Sequence, residues 1–428
     1  MPVIAVIGAQ WGDEGKGKIV DLLSAKADVI ARSQGGANAG HTIYRDNQKI
    51  ILHLMPSGVL TPGRQCLIGP GVVLDPDIFA KEIVAVTDLG LELQGRLLVD
   101  YRTHLVFPTH KLIDQYQEEV RGGSKIGTTS RGIGPAYADK SSRRGVRVGE
   151  LINPRMRDKV CGELYDYHTH LIEKVYDKEL PDRVEFLQQC EAWADMLVPY
   201  ASDTVASLQV AIEKNKTVIL EGAQGVYLDI DLGTYPFVTS SHPGIGGAVL
   251  GIGMPFRKID YVLGVLKAYC TRVGSGPFPT EMDDETAERL RARGAEFGST
   301  TGRPRRCGWL DLPAAKQAAY WNSIDGWAVT KLDVLDGQEA LKVGIGYQIR
   351  GRVISGVPAT QQAWDEVEPV YAGLKTWQNS RDKTTFEALA PTTKDFLSTI
   401  EKFTGTPVSV ISNGAQQQAT IMTRGELI

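Results

Sequence analysis

The stretch VIAVIGAQWGDEGKGK, residues 3–18, decides the fold of this chain. Its first six residues form an apolar, mostly β-branched run that closes at Gly8, a pattern typical of a buried strand. Apolar residues return at helical spacing in IVDLL, residues 19–23, directly after the lysines. The sequence therefore predicts a buried strand, a glycine-rich loop and a helix, in that order.

The predicted loop has the chemistry of a phosphate site. Backbone N–H groups at a helix N-terminus bind anions, and the loop lysines add positive charge. Gly12, Gly17 and Lys18 satisfy the P-loop spacing G-x-x-x-x-G-K, but Ile19 stands where the Ser or Thr that holds magnesium is expected. We therefore predict a P-loop-like nucleotide site without the usual magnesium hydroxyl.

Two carboxylates, Asp13 and Glu14, stand inside this loop. A carboxylate beside phosphates repels them unless it binds a cation or transfers a proton. A solvated acidic turn in an ordinary nucleotide loop is the alternative. We favour the functional role, because a carboxylate placed among the groups that bind phosphate is unfavourable unless it has a function.

Composition limits the class of protein. With 428 residues, 42% hydrophobic content and a net charge of −4, the chain can form one large α/β core or two smaller domains. It has no apolar run of 18 residues and no signal-peptide pattern, so we expect a cytoplasmic protein with no membrane partner. Its slight acidity argues against a nucleic-acid partner.

The cysteines give no sign of a structural cross-link. They are odd in number and never in C-x-x-C spacing, which predicts neither disulfides nor a zinc site. We expect buried or inert thiols at Cys66, Cys161, Cys190, Cys270 and Cys307.

Several predicted strands end in loops suited to a ligand. The strand predicted at 28–32 leads into small residues around Asn38 and His41, which let the backbone approach a ligand. His41 suits proton transfer or stabilisation of a phosphoryl oxygen, with a structural histidine as the alternative. Gln224 follows a predicted strand at 217–221 in the same way.

Three further loops are rich in hydroxyls. Residues 124–137 can surround a phosphate monoester, with a flexible linker as the alternative, and residues 235–242 form a second hydroxyl-rich loop. Residues 297–306 hold three hydroxyls and three guanidiniums, which fit carboxylates or phosphates. A solvated basic turn is the alternative there.

The segment WAVTKLD, residues 327–333, predicts the base of the nucleotide. Its T-K-x-D ending is one residue away from the N-K-x-D pattern by which GTPases recognise guanine. The carboxylate of Asp333 can accept from the ring N–H and the exocyclic amine of guanine, and the stem of Lys331 can lie along the base. Together with the phosphate loop, this segment predicts GTP.

The remaining pattern predicts one large α/β domain over residues 1–428, with a mainly helical insertion at 100–213. Alternation at 341–354 predicts an antiparallel pair, and a last strand is predicted at 408–412. The expected fold is a large, mostly parallel sheet flanked by helices, with small antiparallel pairs.

These motifs together resemble the adenylosuccinate synthetase family over nearly the whole length. The most specific are the W-G-D-E-G-K-G-K loop and G-G-x-N-A-G-H-T, and the matching segments are 10–18, 35–42, 126–140, 222–225, 299–305 and 330–337. The resemblance implies GTP-dependent ligation of IMP with L-aspartate to adenylosuccinate, the first committed step to AMP, in an enzyme that uses Mg²⁺.

The resemblance also implies roles for single residues. Asp13 is the base that removes the N1 proton of IMP, His41 supports transfer of the GTP γ-phosphoryl group to O6, and Lys16 assists that transfer. Magnesium is bound by Asp13 and the carbonyl of Gly40. The implied GTP and metal set is Gly12, Asp13, Glu14, Gly15, Lys16, Gly17, Lys18, Gly40, His41, Thr42, Arg305, Lys331, Leu332, Asp333, Ser412, Asn413 and Gly414.

The implied substrate set covers IMP and aspartate. Positions that contact IMP in the family are matched here by Asn38, Thr129, Gln224, Thr239 and Arg303. Arg143 matches a position that reaches the IMP site from the partner subunit, which implies a homodimer. Residues 299–305 resemble the loop that closes over aspartate, with Arg303 and Arg305 suited to its carboxylates. The substrate-binding residues are Asn38, Thr129, Arg143, Gln224, Thr239, Ser299, Thr300, Thr301, Gly302 and Arg303.

The chain departs from the family pattern in three places. Many members have Gly-Pro, an acidic residue and Arg after Ser412, where this chain has NGAQ at 413–416. His242-Pro243 replaces the more usual Asn, and Pro304 interrupts the arginine run.

Two other functions fit parts of the pattern. A GTP-binding regulatory or scaffolding protein needs only the loop and T-K-x-D, and has no use for the polar loops around Thr129, Thr239 and Arg303. A phage-type relative that acts on dGMP typically lacks the aspartate at position 13, so Asp13 favours IMP.

Overall fold

The computed structural model describes residues 2–45, 48–298, 302–381, 383–425 and 427. Its strands in these ranges are β1 (Val3–Gly8), β2 (Val29–Arg32), β3 (His41–Arg45), β4 (Gln48–Leu52), β5 (Gln65–Ile68), β6 (Val73–Leu74), β7 (Leu97–Asp100), β8 (His104–Leu105), β9 (Ala201–Ser202), β10 (Val218–Glu221), β11 (Tyr261–Lys267), β12 (Cys270–Arg272), β13 (Arg306–Gly308), β14 (Leu310–Asp311), β15 (Gly326–Thr330), β16 (Leu341–Ile349), β17 (Arg352–Ile354), β18 (Val367–Leu374), β19 (Val408–Ser412) and β20 (Thr420–Met422).

The helices cover the faces of the sheet and the region between β7 and β10. They are α1 (Lys16–Ser24), α2 (Pro76–Thr87), α3 (Pro108–Arg121), α4 (Ile133–Ser142), α5 (Val148–Leu151), α6 (Pro154–Val175), α7 (Arg183–Leu197), α8 (Thr204–Glu213), α9 (Ile245–Ile252), α10 (Asp284–Gly294), α11 (Leu312–Asn322), α12 (Gln361–Glu366) and α13 (Pro391–Thr404). Short 3₁₀ turns lie at Ser57–Leu60, Gly122–Ser124, Val226–Leu228, Phe256–Lys258 and Leu332–Leu335.

Strand β1 lies inside a ten-stranded sheet with the order β20-β19-β15-β11-β1-β10-β2-β5-β7-β9. Neighbouring strands are parallel except for the edge pair β19 and β20. All six residues of β1 are buried. Val3, Ala5 and Ile7 pack into one hydrophobic core, and Ile4 and Val6 into a second, as the two-residue period of a strand covered on both faces requires.

The predicted fold class is confirmed. Antiparallel pairing is largely confined to small units: β3 with β4, β12 with β13, and β16 with β17 and β18. The pair predicted at 341–354 corresponds to β16 and β17. Because the carboxyl ends of parallel strands meet at one edge, the loops that follow β1, β2, β10, β15 and β19 lie together.

Helices α3 to α8 occupy most of the segment between β7 and β10, where a helical insertion is expected. A buried cluster joins three of them: Nε2 of His110 lies 3.0 Å and Nε2 of His168 lies 2.8 Å from Oδ2 of Asp139. The N–H of Phe107 donates to Nδ1 of His110, so Nε2 of this histidine carries its proton and donates to the carboxylate. The cluster thus fastens α4 to α3 and α6.

All five cysteines are buried and free, as expected. Among the helices of the described residues, none combines the length and the apolar character that a membrane crossing requires.

Candidate active site

The loop after β1 presents its backbone to the carboxyl edge of the sheet. Gly12 and Gly15 have φ values of 87° and 92°, and Asp13 has a φ value of 60°. Gly15 caps α1 without a side chain, which keeps the approach to the first helical N–H groups open. A Cβ atom on Gly17 would lie 2.9 Å from Cβ of His41, so glycine permits the close approach of the two loops.

The adjacent carboxylates of the loop point in different directions. The side chain of Glu14 is 0% exposed, and its carboxylate accepts from the N–H groups of Gln10 (3.0 Å) and Gly12 (2.9 Å). Nζ of Lys16 lies 2.5 Å from Oε2 of Glu14. The Asp13 side chain is 28% exposed and lines the cavity. Glu14 therefore stabilises the loop from within, and Asp13 is the carboxylate that can meet a ligand.

Asp13 is paired with Arg305. Nε of Arg305 lies 2.8 Å from Oδ2 of Asp13, and Nη1 lies 2.5 Å from Oε2 of Glu296. Burial alone would lower the pKa of Arg305, but the two carboxylates raise it above its ordinary value. The guanidinium is therefore charged and holds Asp13 at the cavity wall.

Glu296 is the centre of a buried ionic network. Besides Arg305, it accepts from Nζ of Lys267 at 3.0 Å and from the hydroxyl of Tyr269 at 2.5 Å, and Nζ of Lys331 lies at 3.5 Å. Burial raises the pKa of Glu296, but the surrounding cations outweigh it and hold that pKa far below its ordinary range. Sequence reasoning missed Glu296 and Lys267, because no local motif marks either residue.

His41 is oriented by a carboxylate at the end of β10. Its Nδ1 contacts Oε1 of Glu221, and the carboxylate of Glu221 also accepts from the N–H and the hydroxyl of Ser57, both at 2.7 Å. Burial lowers the pKa of His41, and Glu221 opposes that shift. Glu221 was also missed as a site residue; its position at the carboxyl end of a predicted strand was the available signal.

Three predicted IMP contacts meet in one hydrogen-bonded group. Nε2 of Gln224 donates to Oδ1 of Asn38 at 3.0 Å, and Nδ2 of Asn38 lies 3.4 Å from Oγ1 of Thr239. Thr129 lies on the opposite loop, which the carboxylate of Glu118 braces by accepting from the N–H groups of residues 126–128. All four predicted residues line the same cavity.

Asp333 lines the same cavity and is paired with an arginine. Nη2 and Nε of Arg381 lie 2.7 and 3.2 Å from its Oδ2 atom. Lys331, which precedes it by two residues, has a φ value of 59° and donates to the carbonyl of Gly294 at 2.6 Å. Lys331 and Asp333 of the T-K-x-D motif both line the cavity.

Lys18 connects the phosphate loop to the C-terminal strands. Its Nζ donates to Oγ of Ser412 at 2.7 Å and to the carbonyls of Gly414 and Ala419 at 2.9 and 2.8 Å. Burial lowers the pKa of Lys18 to about 8, against the opposing charge of Asp333. The predicted residues at the two ends of the chain are thereby brought together.

A cavity of about 970 Å³ unites most of the predicted site. The predicted residues that line it are Gly12, Asp13, Gly15, Lys16, Gly17, Lys18, Asn38, Gly40, His41, Thr42, Thr129, Gln224, Thr239, Gly302, Arg305, Lys331, Asp333, Ser412 and Gly414. Ser299, Thr300 and Thr301 lie outside the described residues.

Of the predicted residues that the structure describes, five do not line the cavity: Glu14, Arg143, Leu332, Arg303 and Asn413. The side chains of Glu14 and Leu332 are buried in the protein. Asn413 is also buried and donates to the carbonyls of Ser380 and Lys383 at 2.6 and 2.7 Å, so its side chain braces a loop. Arg143 and Arg303 are exposed outside the cavity wall.

Comparisons with known proteins agree on one family. The family model described as adenylosuccinate synthetase matches residues 5–421. The adenylosuccinate synthetase of Xanthomonas oryzae pv. oryzae is 46% identical over 98% of both chains, and that of Stenotrophomonas maltophilia is 45% identical over the same share.

Solved structures agree as well. A fully ligated adenylosuccinate synthetase from Plasmodium falciparum superposes with a TM-score of 0.95 at 38% identity, covering 99% of this chain and 100% of that one. The cyanophage S-2L succinoaminodeoxyadenylate synthetase bound to dGMP and dATP has a TM-score of 0.64 at 20% identity and covers 99% and 95%. The second likeness shows the fold alone.

Proposed function

The chain belongs to the adenylosuccinate synthetase family, and we propose which of its residues carry out the family's reaction. The enzyme ligates IMP and L-aspartate to adenylosuccinate through 6-phosphoryl-IMP and releases GDP and phosphate, in the first committed step of AMP synthesis from IMP. The oxygen at C6 of a purine lactam is a poor nucleophile and a poor leaving group. Removal of the N1 proton addresses the first problem, and phosphorylation of O6 addresses the second.

Asp13 is the proposed base for the N1 proton. The observation that supports this choice is the opposite orientation of the two loop carboxylates: Glu14 is buried with its acceptors in use, whereas Asp13 is presented to the cavity. A base must lie within hydrogen-bond reach of the proton it removes, and only a carboxylate at the cavity wall can do so.

His41 and Lys16 are proposed to support phosphoryl transfer to O6. Phosphoryl transfer depends on positioning and on stabilisation of charge on the moving oxygens. The contact with Glu221 places the Nδ1 proton of His41 towards that carboxylate and fixes the ring. Lys16 lines the cavity beside the loop amides, with its ammonium held by Glu14.

Asp13 and the carbonyl of Gly40 are the proposed ligands of Mg²⁺. Both residues line the cavity, and carboxylate and carbonyl oxygens are the donors this cation prefers. This set fits a chain that has Ile19 in place of the P-loop hydroxyl. The bound ion would neutralise charge on the phosphates.

The three substrates are assigned to separate parts of the cavity. The proposed contacts of IMP are Asn38, Gln224, Thr239, Thr129 and Arg303. The guanine end is assigned to Lys331, Asp333, Ser412 and Gly414, and the aspartate carboxylates to Arg303 and Arg305. The amides of residues 12–18 are assigned to the GTP phosphates, which suits their position at the start of α1.

A homodimer with Arg143 reaching across the interface is also proposed. Arg143 ends α4 with a φ value of 64° and is exposed outside the cavity of its own chain, where it is free to serve a neighbouring one. We expect a mixture of inactive Arg143→Leu and Asp13→Ala variants to regain activity, because a mixed dimer has one site with both native residues. A mixture that stays inactive after verified subunit exchange contradicts the shared site.

A single assay tests the substrate assignment. The chain is incubated with GTP, magnesium and aspartate, with either IMP or dGMP, and product absorbance and phosphate release are followed. We expect an aspartate adduct with IMP only. Phosphate release without an adduct favours a GTPase switch, and an adduct with dGMP favours the phage-type reaction. We propose a cytoplasmic location, where these metabolites are made.

A further inference from the structure

The carboxylate assigned to guanine already has a cationic partner. Arg381 places two donors, Nη2 and Nε, on Oδ2 of Asp333 at 2.7 and 3.2 Å. The Asp333 side chain is 6% exposed, so its charge is stabilised mainly by neighbouring protein groups. Both residues line the cavity, in the part assigned to guanine. The guanidinium of Arg381 therefore donates to a carboxylate oxygen of Asp333 that guanine also needs as an acceptor.

The backbone around Arg381 is anchored independently of this ion pair. The N–H of Ser380 donates to Oδ2 of Asp336 at 2.9 Å, and Asn413 donates to the carbonyls of Ser380 and Lys383 at 2.6 and 2.7 Å. The side chain of Arg381 is 63% exposed. Much of this side chain therefore already faces solvent, and its loop has anchors that do not involve Asp333.

We propose that Arg381 is a resident competitor for the guanine site, which the base displaces from Asp333 on binding. The proposal rests on the assignment of Asp333 to guanine. Guanine offers a ring N–H and an exocyclic amine in place of the two guanidinium donors, so Asp333 stays satisfied after the exchange. Adenine offers no matching pair of donors and leaves Arg381 in position.

The sign of the effect separates competition from ordinary electrostatics. Removal of a cation from a cavity that binds polyphosphates weakens the binding of every nucleotide. Removal of a group that competes with guanine for Asp333 strengthens binding instead, and only for nucleotides whose base binds Asp333. An exposed ion pair is weakened by salt, so the competition must also fade as ionic strength rises.

The test compares Arg381→Gln with the wild-type enzyme by calorimetric titration of GDP and ADP, at about 50 and 300 mM salt. Arg350→Gln is the matched control, because Arg350 is 75% exposed and pairs with Glu366 at 2.8 Å, away from the cavity. We expect Arg381→Gln to bind GDP about three- to tenfold tighter at low salt, with a smaller gain at high salt and no gain for ADP. We expect Arg350→Gln to match the wild type.

Equal or weaker GDP binding by Arg381→Gln overturns the proposal, and so does an equal gain for ADP. The assignment of Asp333 fails in a different way: Asp333→Asn would then keep the wild-type preference for GDP over ADP. Thermal melting of each variant confirms that the compared proteins are folded.

Discussion

Nε of Arg305 lies 2.8 Å from Oδ2 of Asp13, in a loop whose neighbouring carboxylate, Glu14, is fully buried. The ion pair ties the proposed base to the ionic network around Glu296, which Lys331 also joins. The proposed catalytic base, Asp13, and the guanine-assigned residue Lys331 are therefore connected through one network of charged side chains. Asp13 is held in place by this network and is still accessible to a substrate.

The first prediction concerns Asp13→Asn. Asparagine tolerates the left-handed backbone at this position, so we expect the protein to stay folded. Loss of a general base lowers kcat by about 10²- to 10⁴-fold, measured by phosphate release with IMP, GTP and aspartate. Glu14→Gln is the contrasting variant: it leaves buried Lys16 without its charge partner and lowers the unfolding free energy by ~3 kcal/mol or more. Near-normal turnover in Asp13→Asn would refute the assigned base.

The second prediction concerns Glu221→Gln. Loss of the carboxylate releases the ring of His41, and we expect kcat to fall about 10- to 100-fold with the KM for GTP nearly unchanged. The variant also reduces the charge that faces fully buried Arg32, so its unfolding free energy falls. Ser57→Ala is the control, because it removes one contact of Glu221 and leaves His41 bound. Equal kcat values for both variants would argue against a positioning role.

The third prediction concerns Asp333→Asn. Replacing one acceptor oxygen by an amide donor opposes the exocyclic amine of guanine, and we expect kcat/KM for GTP to fall about 10- to 100-fold. Xanthine carries an acceptor where guanine carries that amine, so XTP should become a better substrate for this variant than for the wild type. Unchanged selectivity between GTP and XTP would show that another residue recognises the base.

The fourth prediction concerns the charge of Lys18. Its pKa of about 8 leaves about half of the enzyme with a neutral amine at pH 8. Anionic phosphates at the start of α1 raise this pKa, so nucleotide binding should take up about half a proton at pH 8 and almost none at pH 6.5. Calorimetry of GDP in two buffers of different ionisation enthalpy measures the uptake. The same uptake in Lys18→Gln would assign the proton to another group.

Much of this fold could be predicted because its signals are local. The apolar run at residues 3–8 and the glycine loop after it specify a strand, a turn and a helix without reference to the rest of the chain. Parallel strands then carry their loops to one edge, which is why scattered polar loops formed one cavity.

The remaining features depend on contacts between distant residues. His41 and Glu221 are 180 positions apart, and only the pairing of β10 with β1 and β2 brings them together. The division of roles between Asp13 and Glu14 depends on side-chain direction, which a loop of unusual φ values sets. The sequence identified both carboxylates as unusual and could not show which one is buried.

The fifth prediction concerns the buried cluster of His110, Asp139 and His168. Burial, together with His168 and Lys111, lowers the pKa of His110 to about 4, although Asp139 opposes the shift. Above pH 6.5 this histidine is neutral in both folded and unfolded chains. As the pH falls from 6.5 to 4, the unfolded chain binds a proton that folded His110 does not. Stability therefore falls by up to about 3 kcal/mol from this group alone.

We expect His110→Gln to be less stable than the wild type at pH 7 and to lose less stability between pH 6.5 and 4.5. In the wild type Asp139 stays ionised over this window, because its two histidine partners hold its pKa below it. The measurement is the thermal midpoint at matched scan rates, with exposed His170→Gln as the control. Parallel pH curves for His110→Gln and the wild type would contradict this prediction, because they would show that His110 has the same pKa in the folded and the unfolded chain, with Asp139 offsetting the effect of burial.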